Sequence, residues 1–153
     1  MDDTIWRRAS EASLVIRTDF AHEDEWTRLR AAIVEPQTED EFEAHVEFVD
    51  DRAYEGVTPE RLLRLVPADS SERFVFLVDT ETLTHPDRPV LVLNLYDWVE
   101  GLEDQGKGPR YGDTFRVVPA EVHSVEANLA LANMDWEEFA DGVDDDGVFR
   151  GFE

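Results

Sequence analysis

The chain has 153 residues, no cysteine, and 37 acidic side chains against 14 Lys and Arg, for a formal net charge of −23. Lack of cysteine excludes thiol nucleophiles, thiolate zinc sites and redox pairs. The shortage of cations argues against a broad grip on nucleic-acid phosphates or on anionic membrane surfaces.

In chain order, residues 1–12 read as a polar lead-in. Ser13 to Phe20 is a strand, because Leu14-Val15-Ile16 is the apolar run of a strand covered on both faces. Asp19 is placed to cap the following helix, in which Trp26, Leu29, Ala32 and Ile33 recur at helical spacing and which Pro36 stops. Residues 35–51 hold eight acids and no Lys or Arg. Within them His45 to Val49 alternates as a strand that ends in Asp50-Asp51. Thr58-Pro59-Glu60 opens a helix with a hydroxyl cap, proline in the first turn and an acid near the positive end. Arg73 to Asp79 is the strongest strand, rich in β-branched and aromatic residues. A turn through Thr82 and His85-Pro86 leads to a strand from Pro89 to Asp97. The glycines between Gly101 and Asp113 mark a loop. Thr114 to Val118 is a fifth strand. A helix runs from Pro119 and Glu121 to a cap at Asn133, and Trp136, Phe139, Ala140 and Val143 form a last short helix. Asp144-Asp145-Asp146-Gly147 is a turn, with a short strand after it.

Strands separated by helices predict one three-layer α/β domain over residues 1–153, with a mainly parallel sheet of about five strands. The N-terminus lacks the basic start and apolar core of an export signal. No apolar run approaches the roughly 20 residues of a membrane span. The default expectation is therefore a cytoplasmic protein. The acidity itself has three readings: a proteome-wide acidic bias, which is the plainest, a basic protein partner, or mimicry of nucleic acid.

Candidate chemistry collects where strands end. Asp19, Asp50 with Asp51, Asp79 and Asp97 each follow a strand, and ligands of open α/β sheets bind outside the carboxyl ends of strands. Asp19, Asp50, Asp51 and Asp79 could together hold Mg²⁺ through oxygen ligands, with Arg17 on an anion and His85 as a base near Asp79. Asp is also a preferred helix cap and turn former, and that reading is preferred. Arg17 sits in a strand, so burial demands a partner, and an ion pair with a strand-end Asp is expected. No paired acids follow the first strand and no lysine follows Thr114 to Val118, so a phosphoacceptor receiver is rejected. Asp144, Asp146, Gly147 and Glu153 fall near calcium-loop register, but Gly142 cannot supply the first ligand. No Gly-x-Ser-x-Gly, Walker, dinucleotide or His-Glu-x-x-His pattern occurs. Glu126 and Asn128 fall off the Val122-Val125-Leu129 stripe, where solvent exposure is the plain reading and binding the other.

Several stretches resemble an uncharacterised, mainly actinobacterial family of small acidic proteins, a domain of unknown function. They are Arg17-Thr18-Asp19-Phe20, Phe48-Val49-Asp50-Asp51, Leu83-Thr84-His85-Pro86 and the run from Ser124 through Asn133-Met134-Asp135-Trp136 to Ala140. The resemblance covers nearly the whole chain and implies a single intact domain. It implies no activity, cofactor or catalytic residue.

Two function classes follow. The favoured one is a non-enzymatic binding or regulatory module without cofactor, using residues 35–51 and 135–146 to meet a basic protein partner. Neither nucleic acid nor membrane is expected as a direct partner, and homo-oligomerisation is open. In it Arg17, Asp50, Asp51, Glu126 and Asn128 are the binding candidates. The alternative is a divalent-cation-dependent hydrolase or phosphate-handling enzyme built on the aspartates, with Asp19, Asp79 and His85 as catalytic candidates. The two are separated by whether those carboxylates converge in one pocket.

Overall fold

The computed structural model describes residues 12–34, 46–67, 73–95, 112–130 and 136–151. Short runs of three to five successive apolar residues, rich in Val, Ile and Phe, form β1 (Ser13–Arg17), β3 (Phe74–Val78) and β4 (Val90–Asn94). All three are buried along their length, as strands covered on both faces must be. β2 (Val46–Val49), β5 (Thr114–Val117) and β6 (Val148–Phe149) complete a six-stranded sheet in the order β2-β1-β3-β4-β5-β6.

β1 pairs in parallel with β2 and β3, and β5 with β6. β4 runs antiparallel to both neighbours. The sheet is therefore mixed and has six strands, where about five, mainly parallel, were expected. The reason lies in the link from β3 to β4. A parallel return needs a crossover of a dozen or more residues, usually a helix that travels the length of the sheet. The link holds only α3 (Thr80–Thr84), five residues long. At 1.5 Å per residue it turns the chain round at the sheet's end instead of carrying it back.

Side-chain alternation divides the strands between two cores. On one face Val15, Phe76, Val92 and Phe115 lie in register across four strands. They pack with Trp26, Leu29 and Ile33 of α1 (Glu23–Val34), with Val122 and Val125 of α4 (Val122–Ala130), and with Trp136 and Phe139 of α5 (Trp136–Ala140). On the other face Leu14, Ile16, Val75, Leu77, Leu91 and Leu93 pack with Tyr54, Val57 and Leu62, the last from α2 (Pro59–Leu65). The three layers predicted are thus present.

Local signals work as their chemistry requires. Thr58 accepts the Arg61 N–H at 3.2 Å, and Pro59 occupies the first turn of α2. Asp79 and Thr82 form a reciprocal capping box on α3. The sequence expectations on residues 1–11, Pro36, His45 and the acids of 35–45, Asp97, the loop from Gly101 as far as residue 111, and Asn133 lie outside the described residues.

Candidate functional site

The chain leaves β1, crosses one face by α1 to β2, and returns over the other face by α2 to β3, which lies on the far side of β1. The strand order therefore reverses at β1, the kind of place where open α/β sheets leave a crevice for ligands. The loops after β1 and β3 nevertheless stay together, with Leu83 of α3 in the α1-side core and the Thr80 hydroxyl 2.6 Å from Asp19. Arg17, Thr18 and Asp19 arrive there from β1, Asp50 and Asp51 from β2, and Asp79 and Thr80 from β3.

Arg17 alternates onto the α1 face and is only 2% exposed. Each of its three nitrogens has a partner. Nε donates to the Asp19 carbonyl at 2.8 Å, Nη1 to Asp50 Oδ1 at 3.1 Å and Nη2 to Glu23 Oε2 at 2.6 Å. The guanidinium carbon lies 4.3 Å from the Phe20 ring centroid and 5.1 Å from that of Trp26. The expected ion pair with a strand-end Asp is present, and the side chain is spent on the chain's own acceptors and not held out toward solvent.

Asp19, buried on the same face, accepts the Thr80 hydroxyl at 2.6 Å, the Ala21 N–H at 2.7 Å and His22 Nδ1 at 2.9 Å. Burial pushes its carboxyl upward. The hydrogen bonds from Thr80, His22 and Ala21 and the charge of His22 outweigh this and hold it below its usual value. Asp79 has a different set of partners. Arg116 of β5 grips it with both Nη atoms, at 3.1 and 2.8 Å, and Thr82 donates to it from N–H and hydroxyl. Burial again raises the carboxyl, and Arg116 together with the Thr82 hydrogen bonds outweighs it, so Asp79 is also held below its usual value. Arg116 also meets Glu81 at 3.1 Å and the Pro89 carbonyl at 3.0 Å.

The strand-end aspartates therefore do not converge. Asp19 serves α1's entry loop and Thr80, Asp50 serves Arg17, and Asp79 serves α3 and Arg116. Asp51 caps the short 3₁₀ turn Arg52–Tyr54 through the Ala53 N–H at 2.9 Å. Among the described residues no group of three or more His, Asp or Glu is placed to hold a metal ion. His85 ends α3, and its Nδ1 accepts the Asp87 N–H at 3.0 Å within its own turn. The histidine beside a strand-end carboxylate is His22.

Glu126 is corrected from exposed to buried, at 4% exposure, and accepts the Ser13 hydroxyl at 3.1 Å. Ser13 starts β1, so Glu126 lies at the opposite end of the sheet from Arg17 and Asp50. Asn128 is half-buried and donates to the Ser124 carbonyl at 2.9 Å, a bond within its own helix. The binding candidates thus separate into two places. In the turn after α5, Arg150 is held by Asp144 at 2.7 Å and by Asp146 and Asp87 at 2.8 Å each.

On the α2 face the crevice is a cleft of about 240 Å³. It is lined by the buried Leu77, by Val57 and Pro59, and by Thr18, Thr58, Asp79, Thr80 and Glu81. Gly56 closes one wall at φ +76°, a backbone region that favours glycine. That turn lets its N–H donate to the Thr18 carbonyl at 2.8 Å. The sequence reading missed His22, Thr80 and Arg116. Asp19-x-x-His22 was a visible signal, since three residues suffice to bring a side chain back to a cap. Arg116 carried none, because its partner lies 37 residues away.

No helix of the described residues is long and apolar enough to cross a membrane. Compared with known proteins, the chain matches the model of a family described as a domain of unknown function, DUF6924, over residues 12–152. No curated protein matches it.

Proposed function

We propose, from the premise that the chain belongs to the DUF6924 family of domains of unknown function, that it is a non-enzymatic binding or regulatory module whose acidic surface meets a basic protein partner. The observation that carries this reading is the excess of acids over cations. Arg17 and Arg116 are turned inward onto acids, and Arg88 and Arg150 are half-covered by them. Meanwhile Asp24, Glu60, Glu138, Asp141 and Asp145 stand in solvent. Each such pair masks acids as well as a cation, and Arg28, Arg30, Arg52, Arg61, Arg64 and Arg73 are exposed, so the negative field outside is the one that 37 acids against 14 Lys and Arg produce. Such a field steers a basic partner and repels anionic ones. The cation-dependent enzyme reading draws no support from the aspartates, since each is engaged separately by caps, hydroxyls or arginines.

The test is capture of partners from lysate on the immobilised chain, at about 50 mM and about 500 mM salt, conditions that bracket strong and weak screening. Basic proteins retained at low salt and released at high salt are expected. Capture indifferent to salt, or retention of acidic proteins only, contradicts the reading.

A further inference from the structure

The cleft at the reversal point has a donor and acceptor balance of its own. Thr18 and Thr80 line it, and both hydroxyl protons are committed elsewhere. That of Thr18 goes to the Val78 carbonyl at 3.1 Å, and that of Thr80 goes to Asp19. Asp19 is held as the carboxylate, which fixes Thr80 as the donor in that pair. Toward the cleft these two oxygens can act only as acceptors. Glu81 pairs its Oε2 with Arg116 Nε at 3.1 Å. Its other oxygen takes no bond from the described residues. Asp79 is engaged by Arg116 and Thr82 on Oδ1 and by Arg116 on Oδ2. Among the described residues no basic side chain lines the cleft, and Arg116 behind it balances one of its two carboxylates.

An acceptor-rich, negative lining beside apolar side chains rejects anions and suits a cation with a greasy stem. We propose that the cleft binds a ligand bearing one ammonium or guanidinium group on a short aliphatic stem. The stem lies over Leu77, Val57 and Pro59, and the N–H groups reach Glu81 and the threonine oxygens. Thr58, whose oxygen accepts the Arg61 N–H, keeps a proton for one acceptor on the ligand. The volume lies below the roughly 300–1,000 Å³ of drug-sized sites, so the occupant is a small amine or one long side chain. This inference rests on the cleft alone and does not require a protein partner.

Amide chemical shifts of the intact protein, titrated with butylguanidinium, butylamine, the uncharged isostere butylurea and inorganic phosphate, test it. Saturable shifts centred on Thr18, Gly56, Val57 and Thr80 are expected for the two cations and for neither other probe. Glu81→Gln, at an exposed position, keeps the thermal midpoint and weakens butylguanidinium about tenfold, the scale of one lost charge-assisted hydrogen bond. A blocked Gly-Arg-Gly peptide separates the sources. Tighter binding than butylguanidinium marks a partner's side chain, and weaker binding marks a free small cation. Cation shifts spread over the acidic surface without saturation overturn the proposal. So does equal binding of butylurea, or a Glu81→Gln variant that binds as well as the parent. Absent cleft binding beside intact salt-sensitive capture overturns this site and leaves the acidic-surface reading standing.

Discussion

At the residue scale, Arg17 shows how a charge inside a sheet becomes a fastener. Its three polar contacts and two aromatic faces join β1 to the loop after β2 and to the first turn of α1. Arg17→Met is expected to cost about 3 kcal/mol, the lower end for breaking a buried pair, because Glu23 and Asp50 can turn to water. Arg17→Lys should lose about half as much, since an ammonium cannot reproduce the planar fork. Urea midpoints check both, and Arg17→Met matching the parent would contradict the role. Asp79 carries a pH signature. Its folded pKa is lowered from a usual 3.8, so in acid the unfolded chain takes up the proton first. The stability it supplies is full above that value and is lost as pH falls through the folded one. The parent should exceed Asp79→Asn at pH 6, and the two curves should converge well below pH 3.8. A constant gap across pH would contradict the linkage. Arg17 and Asp79 were legible in the sequence because strand and cap signals place them. Arg116 was not, because a partner across the sheet is a property of strand order.

At the scale of elements, short helices hold only because they are nailed down. Five residues cannot sustain a helix in water. α5 persists because Trp136 sits edge-on to Phe115, while Phe139 stacks on Phe115 and meets Phe149 edge-on. Phe139→Ala is expected to cost about 3–5 kcal/mol and to free α5 and β6 together. Amide exchange should show protection lost at Phe149 before β1, and uniform loss would contradict local anchoring. The periodicity of apolar residues gave away nearly every described element, since burial on one face or both writes itself into spacing. Strand direction was not written there. α3 has the cap chemistry of a crossover helix but not the length. The antiparallel β4 follows from a count of residues that apolar pattern alone does not weigh.

At the scale of the molecule, a net charge of −23 is a standing repulsion that two cores hold together. Screening should relieve it. Raising salt from about 0.01 to about 0.5 M shortens the reach of charge from roughly 30 Å to a few ångströms. The thermal midpoint should then rise by a few degrees, as expected for about 1 kcal/mol in a chain of this size. A midpoint that falls with salt would mean that the internal ion pairs outweigh the repulsion. The acidity was plain in the composition, but its distribution was not. Only the fold shows Arg17, Arg88, Arg116 and Arg150 spent on the chain's own carboxylates. The most direct measurement of the central claim compares partner capture by the parent with capture by a variant carrying Glu138→Gln, Asp141→Asn and Asp145→Asn, at about 50 mM salt. The account predicts basic partners retained by the parent and sharply reduced on the neutralised variant, with the thermal midpoint unchanged or higher. Undiminished capture by a folded, neutralised variant would contradict it.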